Sequence, residues 1–209
     1  MPTIVRMAMF AALAAVLTIN PAFAHHPTGG ATPTTFLEGL LSGFGHPVLG
    51  LDHLAALVVV GLLASRASRG WFILPALWIA AMGLGVAAHL GSVDLPGAEF
   101  LVAGSLVLIA LIGVFNPALP LAVTGSAFVI GGFAHGHALA ESVIGAEPMP
   151  LVAYLIGLVA VQAAITTGIA VAARRLFPVA ADAPAFRAAA GAMGAVGLVF
   201  LVIAARSLA

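Results

Sequence analysis

The chain has 209 residues, 63% hydrophobic and only 7% charged, with a mean hydropathy of +1.21. A soluble domain carries about a quarter charged residues, so this composition cannot dress a water-facing surface and reads as an all-α integral membrane protein. Seven arginines balance seven acids with no lysine, which gives no basic nucleic-acid footprint, and the lack of cysteine excludes disulfides, thiolate metal sites and a cysteine nucleophile.

Residues 1–24 read as a cleaved signal peptide. Arg6 supplies a positive start, residues 7–19 a short apolar core, Asn20-Pro21 a helix break, and Ala22-Phe23-Ala24 small residues for cleavage. Cleavage leaves residues 25–209 as one membrane domain beginning at His25, outside the cytoplasmic membrane. Next, Thr35-Phe36-Leu37-Glu38 has the pattern of a capping box. It opens a short helix whose Phe36, Leu37, Leu40, Leu41 and Phe44 suit the outer membrane interface. Glu38 is thus a cap rather than a ligand. The helix is expected to stop at Gly45-His46, because a residue before proline disfavours helical geometry. Pro47 then fits the first turn of a span.

Six stretches can each cross a bilayer: residues 47–64, 71–90, 98–115, 118–140, 151–173 and 185–205. Short Gly-, Pro- and Asn-bearing connections make successive helices antiparallel. An outside start puts Arg66, Arg69, Arg174 and Arg175 in the cytoplasm, and Asp94, Glu99, Glu141 and Glu147 outside. That agrees with the positive-inside rule.

Against this apolar background, "FGHPVLGLDHLAALVVVG" at residues 44–61 sets His46, Asp52 and His53 into the first span. An ionised group at mid-membrane costs about 2.5–3.5 kcal/mol. Asp52 and His53 fall about 8–9 Å below the outer end of the span. In "GGFAHGHALAES" of the fourth span, His137 and Glu141 share a helix face. His135 and His137 lie about 200° apart on an ideal helix, so both reach one cavity only if Gly131-Gly132 and Gly136 distort it. Topology brings both clusters to the outer half of the membrane, with His89 at the end of the second span as a further candidate. His25 and His26 lie on the same side.

Imidazole with carboxylate suits Ni²⁺, Co²⁺ or Zn²⁺. No GxxxxGK[ST] loop occurs, so no ATPase resides in this chain. In the fifth span Gln162, Thr166 and Thr167 are candidates for the inner half of a path, and Gly191, Gly194 and Gly197 of the sixth permit close packing.

The run His46-Pro47-Val48-Leu49-Gly50-Leu51-Asp52-His53-Leu54-Ala55-Ala56 has the pattern HPxxGxDHxxA. It resembles the first-span signature of the HupE/UreJ family, bacterial nickel/cobalt permeases associated with hydrogenase and urease maturation. The similarity extends to the leader, the six spans and a histidine motif in the fourth, whose family form resembles HGxAHGxE. Here His135, Gly136 and Ala138 match, whereas Leu139 and Ala140 replace the later His-Gly and Glu141 arrives one residue early. The resemblance implies His46, Asp52, His53 and His135 as metal ligands. His137, as a substitute imidazole, and Glu141 are added from their spacing.

The expected function is secondary or facilitated transport of Ni²⁺ or Co²⁺ across a bacterial inner membrane, not catalysis. The alternative is an intramembrane Zn²⁺ hydrolase, in which Asp52 or Glu141 acts on water. A metal-sensing or purely structural membrane subunit is a third reading. The implied partners are the divalent ion and the lipid bilayer.

Overall fold

A computed structural model of the chain describes residues 31–67, 70–115, 119–177 and 184–207. The expected signal peptide, His25, His26 and Arg69 lie outside them. The described chain is helical: α1 (Phe36–Leu49), α2 (Leu51–Arg66), α3 (Ile73–Leu90), α4 (Ala98–Phe115), α5 (Leu121–Leu139), a 3₁₀ turn (Ala140–Val143), α6 (Pro148–Leu176) and α7 (Pro184–Ser207). Among the described residues, α3, α4, α6 and α7 are long and apolar enough to cross a membrane, and α1 with α2 makes a fifth span, bent by 77°. The remaining expected span, the fourth, is α5, which has 19 residues but carries Thr124, Ser126 and two histidines. Thr124 and both histidines are buried against protein, so α5 need not be as apolar as a lipid-facing helix. The protein is an all-α polytopic membrane protein.

The capping box forms as the sequence predicts. Thr35 Oγ1 accepts from the Glu38 N–H at 3.2 Å, and Glu38 Oε2 accepts from the Thr35 N–H at 3.2 Å and the Thr34 N–H at 2.8 Å. α1 does not stop at Gly45-His46, however. It runs through Pro47 to Leu49 and breaks at Gly50, whose backbone is extended (φ −73°, ψ 103°). Packing overrides the local cost of the proline. Gly39 faces the carbonyl of Pro150 and Gly43 that of Tyr154, so α1 lies backbone-to-backbone on α6. Phe36, Leu37 and Leu41 remain exposed, as suits a lipid-facing side.

Small residues also set the other contacts. Gly61 of α2 lies against the Thr166 carbonyl farther along α6, so α1 and α2 descend α6 in one direction as a single bent span. On α5, Gly132 faces the Trp78 carbonyl and Gly136 that of Met82, which makes α3 and α5 parallel neighbours. Gly194 and Gly197 of α7 meet Ala110 and Leu106 of α4 in an antiparallel pair, the close packing expected of that glycine series. Successive spans alternate in direction, yet the tightest contacts join spans that are not consecutive. One end of the bundle therefore gathers the five described histidines. The opposite end carries Arg66, Arg174, Arg175 and Arg187. Arg66 lies 4.2 Å over the Phe186 ring, and Arg174 donates to the Ala67 carbonyl at 3.0 Å.

Candidate metal centre

The break at Gly50 builds the centre of the histidine end. It starts a new helix, so Asp52 sits in the first turn of α2 rather than deep within a continuous span. A carboxylate is favoured there by the helix dipole, and Asp52 Oδ1 accepts the His53 N–H at 2.9 Å. Asp52 and His53 are buried at 1% and 4% exposure. A Cβ at Gly50 would stand 2.8 Å from His53 Cδ2, so the glycine admits the ring as well as breaking the helix.

His53 meets His135 of α5, with Nδ1 atoms 2.8 Å apart and rings at 4.9 Å between centroids. The His46 ring stands edge-on to His53 at 5.9 Å, despite the bend between them. His46 Nδ1 lies 3.1 Å from Ser142 Oγ and 3.3 Å from the Tyr154 hydroxyl, while that hydroxyl donates to the Leu139 carbonyl at 2.6 Å. Ser142 Oγ also donates to Leu139 O, at 3.2 Å. The Tyr154 and Ser142 hydroxyls thus hold one edge of the His46 ring, which donates or accepts there according to its tautomer.

Two nitrogens held by one tetrahedral ion at about 2.0–2.1 Å lie about 3.3–3.4 Å apart. The His53–His135 pair is thus hydrogen-bonded and must open by about half an ångström to share a cation. Beside it lies a narrow buried space lined by Pro47, Leu57, Trp78, Leu139 and Gln162 with the two histidines, too tight for a water molecule. Among the described residues, two polar atoms of its lining, His135 Nε2 and Gln162 Nε2, find no hydrogen-bond partner. Gln162 Oε1 accepts the Trp78 indole N–H at 3.1 Å. Indole only donates, so the amide orientation is fixed with its –NH₂ turned away from Trp78. Thr166, one turn farther along, donates to the Gln162 carbonyl of its own helix at 2.7 Å, and Thr167 is exposed.

The structure does not bring His137 into this group. α5 stays helical through Leu139, so His135 and His137 point apart as ideal geometry requires. The glycines expected to distort α5 serve instead to admit α3. His137 pairs with His89, with rings 4.1 Å apart. His137 Nε2 donates to the Val93 carbonyl at 2.9 Å, and His89 Nδ1 donates to the His137 carbonyl at 2.7 Å, with His137 Nδ1 at 3.1 Å. Carbonyls only accept, so both tautomers are fixed. His137 spends its N–H on Val93 and turns its lone pair to His89. Glu141 is likewise separated from the group: the helix tightens into the 3₁₀ turn at Ala140, the four-residue spacing loses its α-helical meaning, and Glu141 is exposed. Among the described residues, no three His, Asp or Glu side chains stand ready as a metal-holding group.

Residues 13–200 match the family described as HupE / UreJ protein. The chain belongs to the HupE/UreJ family. The match takes in α1 through α6 and most of α7, so it contains both histidine pairs. This HupE/UreJ chain is also 31% identical over 118 residues to Protein HupE of Rhizobium leguminosarum bv. viciae, a match covering 56% of the chain and 59% of that relative. No solved structure matches. Tyr154, Ser142 and Trp78 complete the site without having been singled out in the sequence. One signal was present: Tyr154, the sole tyrosine, stands two helical turns before Gln162 on the buried stripe of α6.

Proposed function

We propose that this HupE/UreJ chain is a permease that carries Ni²⁺ or Co²⁺ across a bacterial cytoplasmic membrane, with the ion as cargo rather than resident cofactor. The observation that carries this reading is the buried His53–His135 pair, flanked by Asp52 and His46 at one end of a membrane bundle. Intramembrane ionisable residues that face protein mark ion pathways, and imidazole with carboxylate is the donor set for borderline divalent ions. Asp52 offsets cation charge, His53 and His135 exchange their mutual hydrogen bond for the ion, and the Tyr154–Ser142 contacts orient His46 for the same task. Gln162 lies next along the path.

The direction of entry follows from charge. Four of the five described arginines stand at the end opposite the histidines, with Arg206 at the histidine end, which supports an outward-facing histidine end. The mature chain then begins outside, after removal of residues 1–24. Radiometal uptake in cells lacking other nickel importers tests the reading. Expression should raise the initial rate of Ni²⁺ or Co²⁺ accumulation, and rates equal to those of the empty vector would refute it.

A further inference from the structure

A second candidate site lies apart from the buried pair. Where α3 ends, a cleft of about 330 Å³ opens between the turn after the helix and the 3₁₀ region, lined by His89, Leu90, Ser92, Val93, Asp94 and Ile144 among others. The turn has the hydrogen bonds of a Schellman cap: the Val93 N–H reaches the Ala88 carbonyl and the Ser92 N–H the His89 carbonyl, each at 2.9 Å. Its left-handed position, usually glycine, is Ser92 at φ 62°. A side chain in that conformation is uncommon, and strain of this kind gathers at functional sites. Here the strained turn presents the Val93 carbonyl to His137 Nε2 at 2.9 Å and sets Asp94 in the lining of the same cleft as His89.

The hydrogen bonds also settle what His89 offers. Its Nδ1–H is committed to the His137 carbonyl at 2.7 Å, so the lone pair of the neutral ring resides on Nε2. Metal-ligating histidines are held in this way, with one ring N–H donated to a carbonyl and the other nitrogen offered to the ion. His89 is half-buried and Asp94 exposed, as suits an imidazole rooted in protein and a carboxylate reaching from solvent.

We propose that His89 and Asp94 form a separate capture site for a divalent transition-metal cation at the mouth of the bundle, with His137 as the positioning residue that fixes the His89 tautomer. One imidazole and one carboxylate, completed by water, hold a borderline ion weakly. A station before a conduction path must bind well enough to load and loosely enough to release. The use of the site as an entry station rests on the permease reading; its binding of metal does not.

The test uses the full chain in lipid nanodiscs, with His25, His26, His53 and His135 replaced by alanine to silence the tail and the buried pair. Co²⁺ titration followed by visible absorption and calorimetry should find one bound ion per chain. His89→Gln and Asp94→Asn, made separately in that background, should each weaken binding by about tenfold or more, since even outer-shell changes cost 10–100-fold. Asp94→Asn is a solvent-exposed change, so its result cannot be ascribed to misfolding. No Co²⁺ bound by the four-alanine chain, or undiminished affinity in both variants, would overturn the capture site. In cells, Asp94→Asn should raise the Ni²⁺ concentration for half-maximal uptake by a similar factor, and an unchanged value would count against the entry role. Absence of uptake by the wild-type chain would defeat the permease reading and leave the nanodisc titration to decide the capture site.

Discussion

The Nδ1 atoms of His53 and His135 stand 2.8 Å apart, so one neutral ring donates to the other and each fixes its partner's tautomer. The contact joins α2 to α5 at the histidine end of the bundle. In the proposed permease an arriving cation competes for the one Nδ1 lone pair in this contact, and the donor ring moves its proton to Nε2 to offer the second. A metal held by both rings is lost when either is removed.

His53→Ala and His135→Ala should therefore each lower initial Ni²⁺ uptake by at least about tenfold at matched membrane expression, and the double variant should add little. Residues that act as a unit are non-additive, and the double-mutant cycle measures that coupling. Effects that multiply as independent factors would assign the two histidines to separate steps.

His137 should behave differently from His135 although only Gly136 separates them. Its Nε2 donates to Val93 O at 2.9 Å, a role that the amide –NH₂ of glutamine can fill. His137→Gln should retain most uptake, whereas His135→Gln should lose it at equal expression. Equal loss in both would place His137 among the ligands after all.

The contrast between these neighbours shows what the sequence could disclose. The apolar spans, the capping box at Thr35–Glu38 and the gathering of histidines at one end were legible, because each depends on local periodicity or on a count of crossings. Helical arithmetic already set His135 and His137 on opposite faces. What it could not supply was the partner of each face, since the glycines of α5 can bend a helix or admit a neighbour and only packing distinguishes the two. The same limit applies at Pro47, where close contact of α1 with α6 carries the helix to Leu49, three residues beyond the expected stop at Gly45-His46. Glu141 was misplaced because a 3₁₀ turn replaces the α-helical spacing that linked it to His137.

Glycine substitutions should divide by what faces them. A Cβ at Gly136 would run into the Met82 carbonyl oxygen, whereas one at Gly168 meets nothing within 4 Å. Gly136→Ala should destabilise the α3–α5 contact by about 1–3 kcal/mol, the usual cost of overpacking. Gly168→Ala should be neutral or stabilising, because alanine is the better helix former by up to about 1 kcal/mol. Thermal unfolding in detergent, followed by circular dichroism, should show a lower midpoint for the first variant alone. A lower midpoint for Gly168→Ala would mean that its exposed position is covered in the membrane.

The Trp78–Gln162 bond gives the last prediction. Trp78 Nε1 donates to Gln162 Oε1 at 3.1 Å, with Gln162 only 1% exposed. Trp78→Phe keeps an aromatic ring beside His135, 5.0 Å from Trp78 in the native chain, but leaves the amide oxygen without its donor. Gln162→Leu leaves the indole N–H without its acceptor. Each orphaned buried group costs about 1–3 kcal/mol, whereas removal of both partners by apolar groups of similar shape is close to neutral. The double variant should therefore unfold nearer to wild type than either single variant does. Its uptake should remain impaired, because stability is restored without restoring the amide beside the His53–His135 pair. Recovery of uptake along with stability would show that Gln162 only packs the bundle and takes no part in the path.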